Sequence, residues 1–227
     1  MVRLERMHVW ILAASVVAAV LTAARPGATG RQRPADRLED LFARGRAAQA
    51  SMRTLRASFR ETAVSSLLVD PIRTGGTLVA AVEPLRLVMR YAPPDGRTIW
   101  IDERTLAIRT PNRAGLEEVD IAATQRRIQK YFTDASLPEL RSSFDLSLTG
   151  DPALPSAHLL EMRPRRSQIK QGLEHLRIWI DRERLVMVRL EMIFPGGDRT
   201  RIDLSDIEVN VPIDERTFAR PGKGGGW

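Results

Sequence analysis

The chain has 227 residues, with 35 lysines and arginines against 28 aspartates and glutamates, and a net charge of +7 at pH 7. It contains no cysteine, which excludes disulfide bonds and thiol catalysis. The basic residues are nearly all arginines, and their one local run is Arg163, Arg165, Arg166 and Lys170. Because such a run without a nucleic-acid motif is most simply a solvated loop, we do not expect nucleic-acid binding.

The first thirty residues have the parts of a secretory signal. Met1–Arg6 carries two arginines against one glutamate, and Val9–Ala24 has no charge. Small residues suitable for cleavage precede Arg25 and Arg31. As a helix the apolar run reaches only about 24 Å, short of a hydrocarbon core of roughly 30 Å. We therefore expect residues 1–30 to direct export to the periplasm and to be cleaved near Ala24 or Gly30, whereas an uncut segment would be a marginal anchor.

A short polar linker, residues 31–37, leads into a segment with helical spacing. From Asp36, a plausible N-cap, to about Arg60, apolar residues recur at intervals of three, four and seven. These residues are Leu38, Leu41, Phe42, Ala48, Met52, Leu55 and Phe59. The pattern predicts one long amphipathic helix that covers another layer of the protein.

From Thr62 onward the apolar pattern changes to a period of two residues. Gly75–Tyr91 alternates, and one of its faces carries Leu85, Leu87, Met89 and Tyr91. The composition of Pro93–Gly96 predicts a turn, and strands are expected at Arg97–Ile101 and Thr105–Thr110. Together these segments predict an antiparallel meander.

Helical spacing returns at Leu116–Phe132, and Leu137–Phe144 fits a short helix or a loop. Five further strands are predicted at Phe144–Thr149, His158–Arg163, Leu173–Asp181, Arg184–Phe194 and Arg199–Val209. This order of elements predicts an α+β domain, with a large antiparallel sheet and its helices on one side. A curved sheet with so few helices encloses either a cavity or packed side chains, and the pattern alone favours neither.

No constellation of residues points to catalysis or to a metal. His8, His158 and His175 stand apart, without a second ligand at metal spacing. The sequence has no nucleophile elbow, phosphate loop or dinucleotide glycine pattern. We therefore expect no metal, no cofactor and no enzymatic activity, and an exported hydrolase is the least favoured function.

Four segments resemble the LolA-type periplasmic lipoprotein carriers: Met52–Arg60, Gly76–Pro94 with its framing prolines, Thr98–Leu106 and Ile202–Phe218. The resemblance lies in their order and spacing and covers residues 38–221, which leaves 222–227 as a flexible tail. It implies an unclosed antiparallel β-barrel covered by a helical lid, with a hydrophobic cavity that shields acyl chains without a cofactor.

The resemblance also implies partners and a site. A carrier of this kind receives lipoproteins from an inner-membrane lipoprotein-releasing transporter and passes them to an outer-membrane acceptor; we expect a monomer. The positions that match the family's cavity aromatics are Leu87 and Met89, with Leu85 beside them. Further candidates are Trp100, Ile108, Phe42, Met52, Leu55 and Phe59. Ordinary core packing explains each of these side chains equally well.

One position departs from the family pattern. The better-known carriers have an arginine before the first proline, where it bonds to the lid, and this chain has Glu83. The latch is therefore absent or reversed in sign, with Arg44, Arg46 and Arg53 as candidate partners. Two functions stay open: a periplasmic carrier of acylated cargo, and a binding module of the same architecture that docks or senses protein or lipid partners without shuttling.

Overall fold

The computed structural model describes residues 34–113, 115–130 and 135–221, so the predicted signal segment and tail lie outside the described residues. Within these ranges one antiparallel sheet contains β1 (Thr54–Val64), β2 (Ile72–Ala81), β3 (Arg86–Tyr91), β4 (Thr98–Asp102), β5 (Thr105–Arg109), β6 (Glu117–Asp120), β7 (Phe144–Gly150), β8 (Ala157–Pro164), β9 (His175–Asp181), β10 (Met187–Ile193) and β11 (Arg199–Val209). Their order is β6-β5-β4-β3-β2-β1-β11-β10-β9-β8-β7. Because β6 and β7 are edges that do not pair, the sheet is unclosed, as predicted.

Helices cover one face of this sheet. They are α1 (Pro34–Gln49), α2 (Ala122–Ile128), α3 (Leu137–Ser143) and the short α4 (Ser167–Lys170). Leu41, Ile128 and Leu140, from α1, α2 and α3, join one apolar cluster with the strands. The connection that carries α2 and α3 runs from one sheet edge, β6, to the other, β7. We call α1–α3 the lid, the face beneath it the covered face and the opposite face the outer face.

The long helix predicted to reach Arg60 is wrong beyond Gln49. Leu55 and Phe59 belong to β1, where Leu55, Ala57 and Phe59 are buried and alternate with exposed or half-buried residues. Positions four apart satisfy the helical period and the strand period alike, so those two residues fitted either element. Met52 lies in the turn after α1, and its N–H donates to the carbonyl of Ala48.

Two other predicted segments are divided in the structure. The first part of Leu116–Phe132 is the edge strand β6, only Ala122–Ile128 is helical, and Phe132 lies outside the described residues. The Asp120 carboxylate accepts the Ala122 N–H at 2.8 Å, which ends the strand and begins the helix. Gly75–Tyr91 contains parts of two strands that are separated by a turn. The later strands and the helix at Leu137–Ser143 agree with the sequence within a few residues.

The first and last strands join the two halves of the sheet. β1 pairs with β11 along its length, from Leu55 opposite Val209 to Val64 opposite Arg199. Asn210 follows with a positive φ of 58°. Its side-chain oxygen accepts the Arg53 N–H at 2.7 Å, and its amide donates to the Ser51 carbonyl at 3.1 Å. Asn210 therefore fixes where β1 begins beside the end of β11.

The outer face is polar over β8–β11. The Arg177 guanidinium contacts Glu161 at 2.8 Å and Glu191 at 3.2 Å on the neighbouring strands. Arg189 and Arg201 both pair with Asp203. These side chains form rows of alternating charge across strands, as expected for a sheet face turned to water.

A C-terminal segment packs on the outer face of the other half. The 3-10 helix Glu215–Phe218 lies against β3. Phe218 packs against a second apolar cluster, Val88, Trp100 and Ala107, and the Arg86 guanidinium lies 4.5 Å from the centre of its ring. This segment shields an apolar patch that the lid does not reach.

Candidate functional site

Most of the predicted cavity residues lie together on the covered face. Leu87 and Met89 of β3, Leu55 and Phe59 of β1, and Met52 are each at most 4% exposed and belong to one apolar cluster. Phe42 of α1 and Ile108 of β5 are partly buried and pack against that cluster. These described side chains are therefore almost completely buried beneath the lid.

The prediction that Trp100 lines the cavity is wrong. It packs with Val88 and Ala107 on the outer face, beneath Phe218, and not with Leu87 and Met89. In β4 the residues that reach the covered face are its neighbours Ile99 and Ile101. Side chains of consecutive strand residues point to opposite faces, so an acyl chain on the covered face cannot touch the indole of Trp100.

A cleft of about 930 Å³ opens at one end of the sheet, and we call it the mouth cleft. Its walls come from the end of α1, the β2–β3 turn, the β4–β5 turn and α2. Leu85, half buried, lines it together with Val82 and Ile128. Ile128 belongs to the interior cluster and Val82 packs against it, so the cleft reaches the edge of the apolar interior.

The rim of the mouth cleft carries charge of both signs, including Arg46, Arg104, Glu83 and Glu103. Glu83 is exposed, and no ion pair between described residues includes it. The candidate partners bond elsewhere. Arg44 pairs with Asp40 at 2.9 Å, Arg46 donates to the Ala135 carbonyl at 3.1 Å, and Arg53 donates to the Ala50 carbonyl at 3.2 Å. A Glu83 latch is thus absent from the described residues.

A buried polar cluster closes the opposite end of the covered face. The Tyr91 hydroxyl donates to the Glu61 carboxylate at 2.8 Å, and the Arg97 guanidinium lies 3.6 Å from the same oxygen. Arg97 also stacks 4.0 Å from the centre of the Tyr91 ring. Burial raises the pKa of the Glu61 carboxyl, and burial likewise raises the pKa of the Tyr91 phenol. No sequence pattern pointed to this cluster, since its members meet only through the pairing of β1, β2 and β3.

A second feature missed from the sequence is the β1–β2 connection. It exposes a run of aliphatic residues, Leu67-Leu68-Val69, between Ser66 and Asp70. The sequence did carry a signal for this surface, namely an apolar run inside a segment bounded by serine, aspartate and proline.

Among the described residues, no group of three or more metal-binding side chains is present. None of their helices has the length and the apolar character needed to span a membrane.

Comparison with known proteins gives the family. The sequence model described as outer membrane lipoprotein carrier protein LolA matches residues 50–221. The chain belongs to the LolA family. None of the curated proteins compared with this LolA-family chain matches it.

Solved structures are similar to the chain at low sequence identity. An uncharacterized conserved protein from Thermus thermophilus is 12% identical with a TM-score of 0.52, covering 84% of this chain and 96% of that one. The Mycobacterium tuberculosis lipoprotein LppX is 13% identical with a TM-score of 0.49, covering 79% and 96%. A chain of the Pseudomonas aeruginosa MucA/MucB complex is 14% identical with a TM-score of 0.47, covering 74% of this chain and 56% of that chain.

Proposed function

We propose that this LolA-family chain is a carrier that binds the acyl chains of lipoproteins, or of other acylated cargo, non-covalently between lid and sheet. The observation that supports it is the mouth cleft, where Val82, Leu85 and Ile128 connect solvent to the apolar covered face. Burial of an acyl chain is favourable by roughly 0.8 kcal/mol per methylene. Apolar lining can therefore supply the affinity without polar contacts.

Cargo entry would require the lid to move away from the sheet, because the described side chains beneath it are almost fully buried. The interior is suited to refilling by a flexible chain, since five of its buried residues are methionines: Met52, Met89, Met162, Met187 and Met192. Unbranched thioether side chains adapt to irregular and changing neighbours. We propose that these methionines line the acyl site together with Leu55, Phe59, Leu85, Leu87, Ile108 and Phe42.

We further propose that the carrier works in the periplasm, after cleavage near Ala24 or Gly30. Its cargo would come from an inner-membrane lipoprotein-releasing transporter and go to an outer-membrane acceptor. A shuttle must leave the first membrane, so the N-terminus of the protein recovered from its host envelope should begin after one of these sites. An intact Met1 on most molecules would contradict shuttling.

A lipid-binding assay tests the acyl site directly. Organic extracts of the purified protein should contain acyl lipid by mass spectrometry, and a fluorescent fatty acid should bind and be displaced by it. Leu85→Gln should weaken fatty-acid binding about tenfold, because it places an amide at the entrance. Leu67→Gln, the same change on the exposed β1–β2 connection, should leave binding unchanged. Absence of both lipid and displacement would refute the carrier.

The deep burial of the described side chains beneath the lid favours one second candidate, a module that docks or senses an envelope partner without carrying cargo. The buried residues of the interior cluster are each at most 8% exposed. A lipid-free chain would then capture a stoichiometric partner, and Leu85→Gln would not weaken that capture. Fatty-acid displacement from the mouth cleft would instead support the carrier.

A further inference from the structure

The β1–β2 connection ends in an exposed apolar segment, Leu67–Ile72, which we call the apolar tip. Val69 is 101% exposed and Leu67 77%, and Leu68 and Ile72 are 42% and 37% exposed. Single exposed aliphatic residues are ordinary, but a contiguous group of them marks an interaction surface. The apolar tip belongs to neither the interior cluster nor the mouth cleft.

The apolar tip is held in place by the neighbouring hairpin. Asp198, in the β10–β11 turn, accepts the Ser65 hydroxyl at 2.9 Å and the Ser66 N–H at 3.0 Å. The Leu68 N–H donates to the Ser65 carbonyl at 3.0 Å, which tightens the turn. These bonds order the backbone in a form that leaves the aliphatic side chains in water.

The apolar tip also projects from the sheet. The pairing of β2 with β3 ends where Gly76 stands opposite Tyr91, whereas its pairing with β1 continues until Ile72 stands opposite Ala63. Four residues of β2 therefore extend beyond the end of β3, which is roughly 13 Å at the usual rise per strand residue. A flat surface could reach the tip without meeting β3 itself, and the β3–β4 connection, Pro93–Asp95, lies beside Ile72 and Arg73.

Exposed arginines lie next to the apolar tip on the outer face. Arg73 pairs in register with Thr62, Arg199 with Val64, and Arg60 lies two residues from Thr62 on the same face of β1. All three are exposed, and no ion pair among the described residues includes any of them. The acidic side chains nearest the tip in sequence are Asp70 and Asp198, whose carboxylate already accepts the bonds that order the turn. Asp203, which stands opposite Arg60 in the pairing of β1 with β11, is paired with Arg189 and Arg201.

We propose that the apolar tip docks the protein on an anionic phospholipid bilayer. Leu67 and Val69 enter the boundary between headgroups and acyl chains, while Arg73 and Arg199 lie at the lipid phosphates. Exposed aliphatic side chains beside unpaired cations are the combination that binds anionic membrane surfaces. The proposal goes beyond acyl-cargo binding and does not depend on it, because the tip and the mouth cleft lie at opposite ends of β1 and β2.

A single label tests the docking, because the chain has no cysteine. Val69→Cys carries the environment-sensitive fluorophore NBD in the full chain, and phosphatidylglycerol or phosphatidylcholine vesicles are added. With phosphatidylglycerol we expect a blue shift and a several-fold rise in emission, and a much weaker response with phosphatidylcholine. Glu183→Cys, labelled in the exposed β9–β10 turn at the other end of the sheet, should not respond.

Variants in the Val69→Cys background separate the two contributions. Leu67→Ser should raise the lipid concentration needed for half-maximal response about tenfold, whereas Leu67→Met should not change it. Arg73→Gln and Arg199→Gln should each raise it roughly fivefold with phosphatidylglycerol. Since residues 1–33 are common to all variants, any membrane binding of their own affects every measurement equally.

Three outcomes would overturn the proposal. One is no response at position 69, or an equal response at position 183. Another is an equal response with both lipids that the arginine variants do not alter. The third is a shift that rises with protein concentration in the absence of vesicles, which would assign the apolar tip to self-association. Fatty-acid binding should persist in Leu67→Ser, so failure of docking and failure of the carrier function are distinguishable.

Discussion

Glu61 links stability to pH. The residue is 6% exposed, and burial raises the pKa of its carboxyl above the ordinary value of 4.5 despite the hydrogen bond from Tyr91 and the charge of Arg97. An acid whose pKa is raised by folding contributes stability that is present below the unfolded pKa and lost as pH rises through the folded pKa. The unfolding free energy should therefore fall as the pH rises from 4.5 through the raised pKa of Glu61. In Glu61→Gln, whose amide oxygen can still accept from Tyr91, this decline should be absent; urea denaturation across that range measures it.

Glu183→Gln provides the matched control. Glu183 is exposed in the β9–β10 turn, and its substitution should leave the pH profile of the unfolding free energy as in the wild type. A profile for Glu61→Gln that runs parallel to that of the wild type would contradict the assigned cause.

Asn210 combines a backbone requirement with two hydrogen bonds. Asn210→Ala loses both bonds and replaces an asparagine, which tolerates the left-handed region, by a residue that disfavours it, and we expect a loss of about 2–3 kcal/mol in the free energy of unfolding. Asn210→Gly keeps the backbone conformation accessible and should lose about 1 kcal/mol less. Chemical denaturation of the two variants measures the difference, and equal losses would show that the positive φ contributes nothing.

Face assignments within one strand were predictable, but those between strands were not. Alternation alone placed Leu87 and Met89 together. The placement of Trp100 depends on the register of β3 with β4, in which Trp100 stands opposite Val88 and Ile101 opposite Leu87. That register depends on the geometry of the proline-rich connection, which alternation does not encode.

Among the elements, β2 depends most on a glycine. A β-carbon at Gly76 would lie 1.9 Å from the Arg90 carbonyl oxygen and 2.9 Å from the Tyr91 Cα, both backbone atoms of β3. Gly76→Ala should therefore lower the unfolding free energy by about 3 kcal/mol, or prevent β2–β3 pairing. Gly172→Ala, where a β-carbon would meet nothing within 4 Å, should change it by less than about 0.5 kcal/mol. Thermal or urea unfolding compares the two, and a tolerated Gly76→Ala would contradict the close approach.

Element boundaries were predictable where several turn residues follow one another, but not at Pro84, the single proline of the β2–β3 turn. Pro93–Gly96 and Pro195–Asp198 carry strong turn residues, and the strands beside them were found. No proline or glycine separates α1 from β1, where the chain reads Ala50-Ser51-Met52-Arg53, so helical spacing was extended into a strand. The edge strand β6 was missed because three of its four residues, Glu117, Glu118 and Asp120, are acidic and contribute no alternating apolar signal.

For the whole molecule, fold class was predictable and the state of the interior was not. The order of apolar patterns predicted an α+β sheet with helices on one side, and the resemblance implied an unclosed barrel with a lid. Whether side chains or a void fill such a barrel depends on the curvature of the sheet and the position of the lid, which no local pattern specifies. The charged rows of the outer face and the polar cluster at Glu61 likewise depend on strand pairing.

The seam between β1 and β11 has a consequence for when the protein can fold. Each half of the sheet is a run of neighbouring hairpins that can form early, but the two halves pair only through residues 135 to 154 positions apart. Contacts of such long range slow folding, and here they must wait until β11 has been synthesised. Until residues 199–209 have left the ribosome, β1 therefore keeps one unpaired edge, which is open to pairing with other chains.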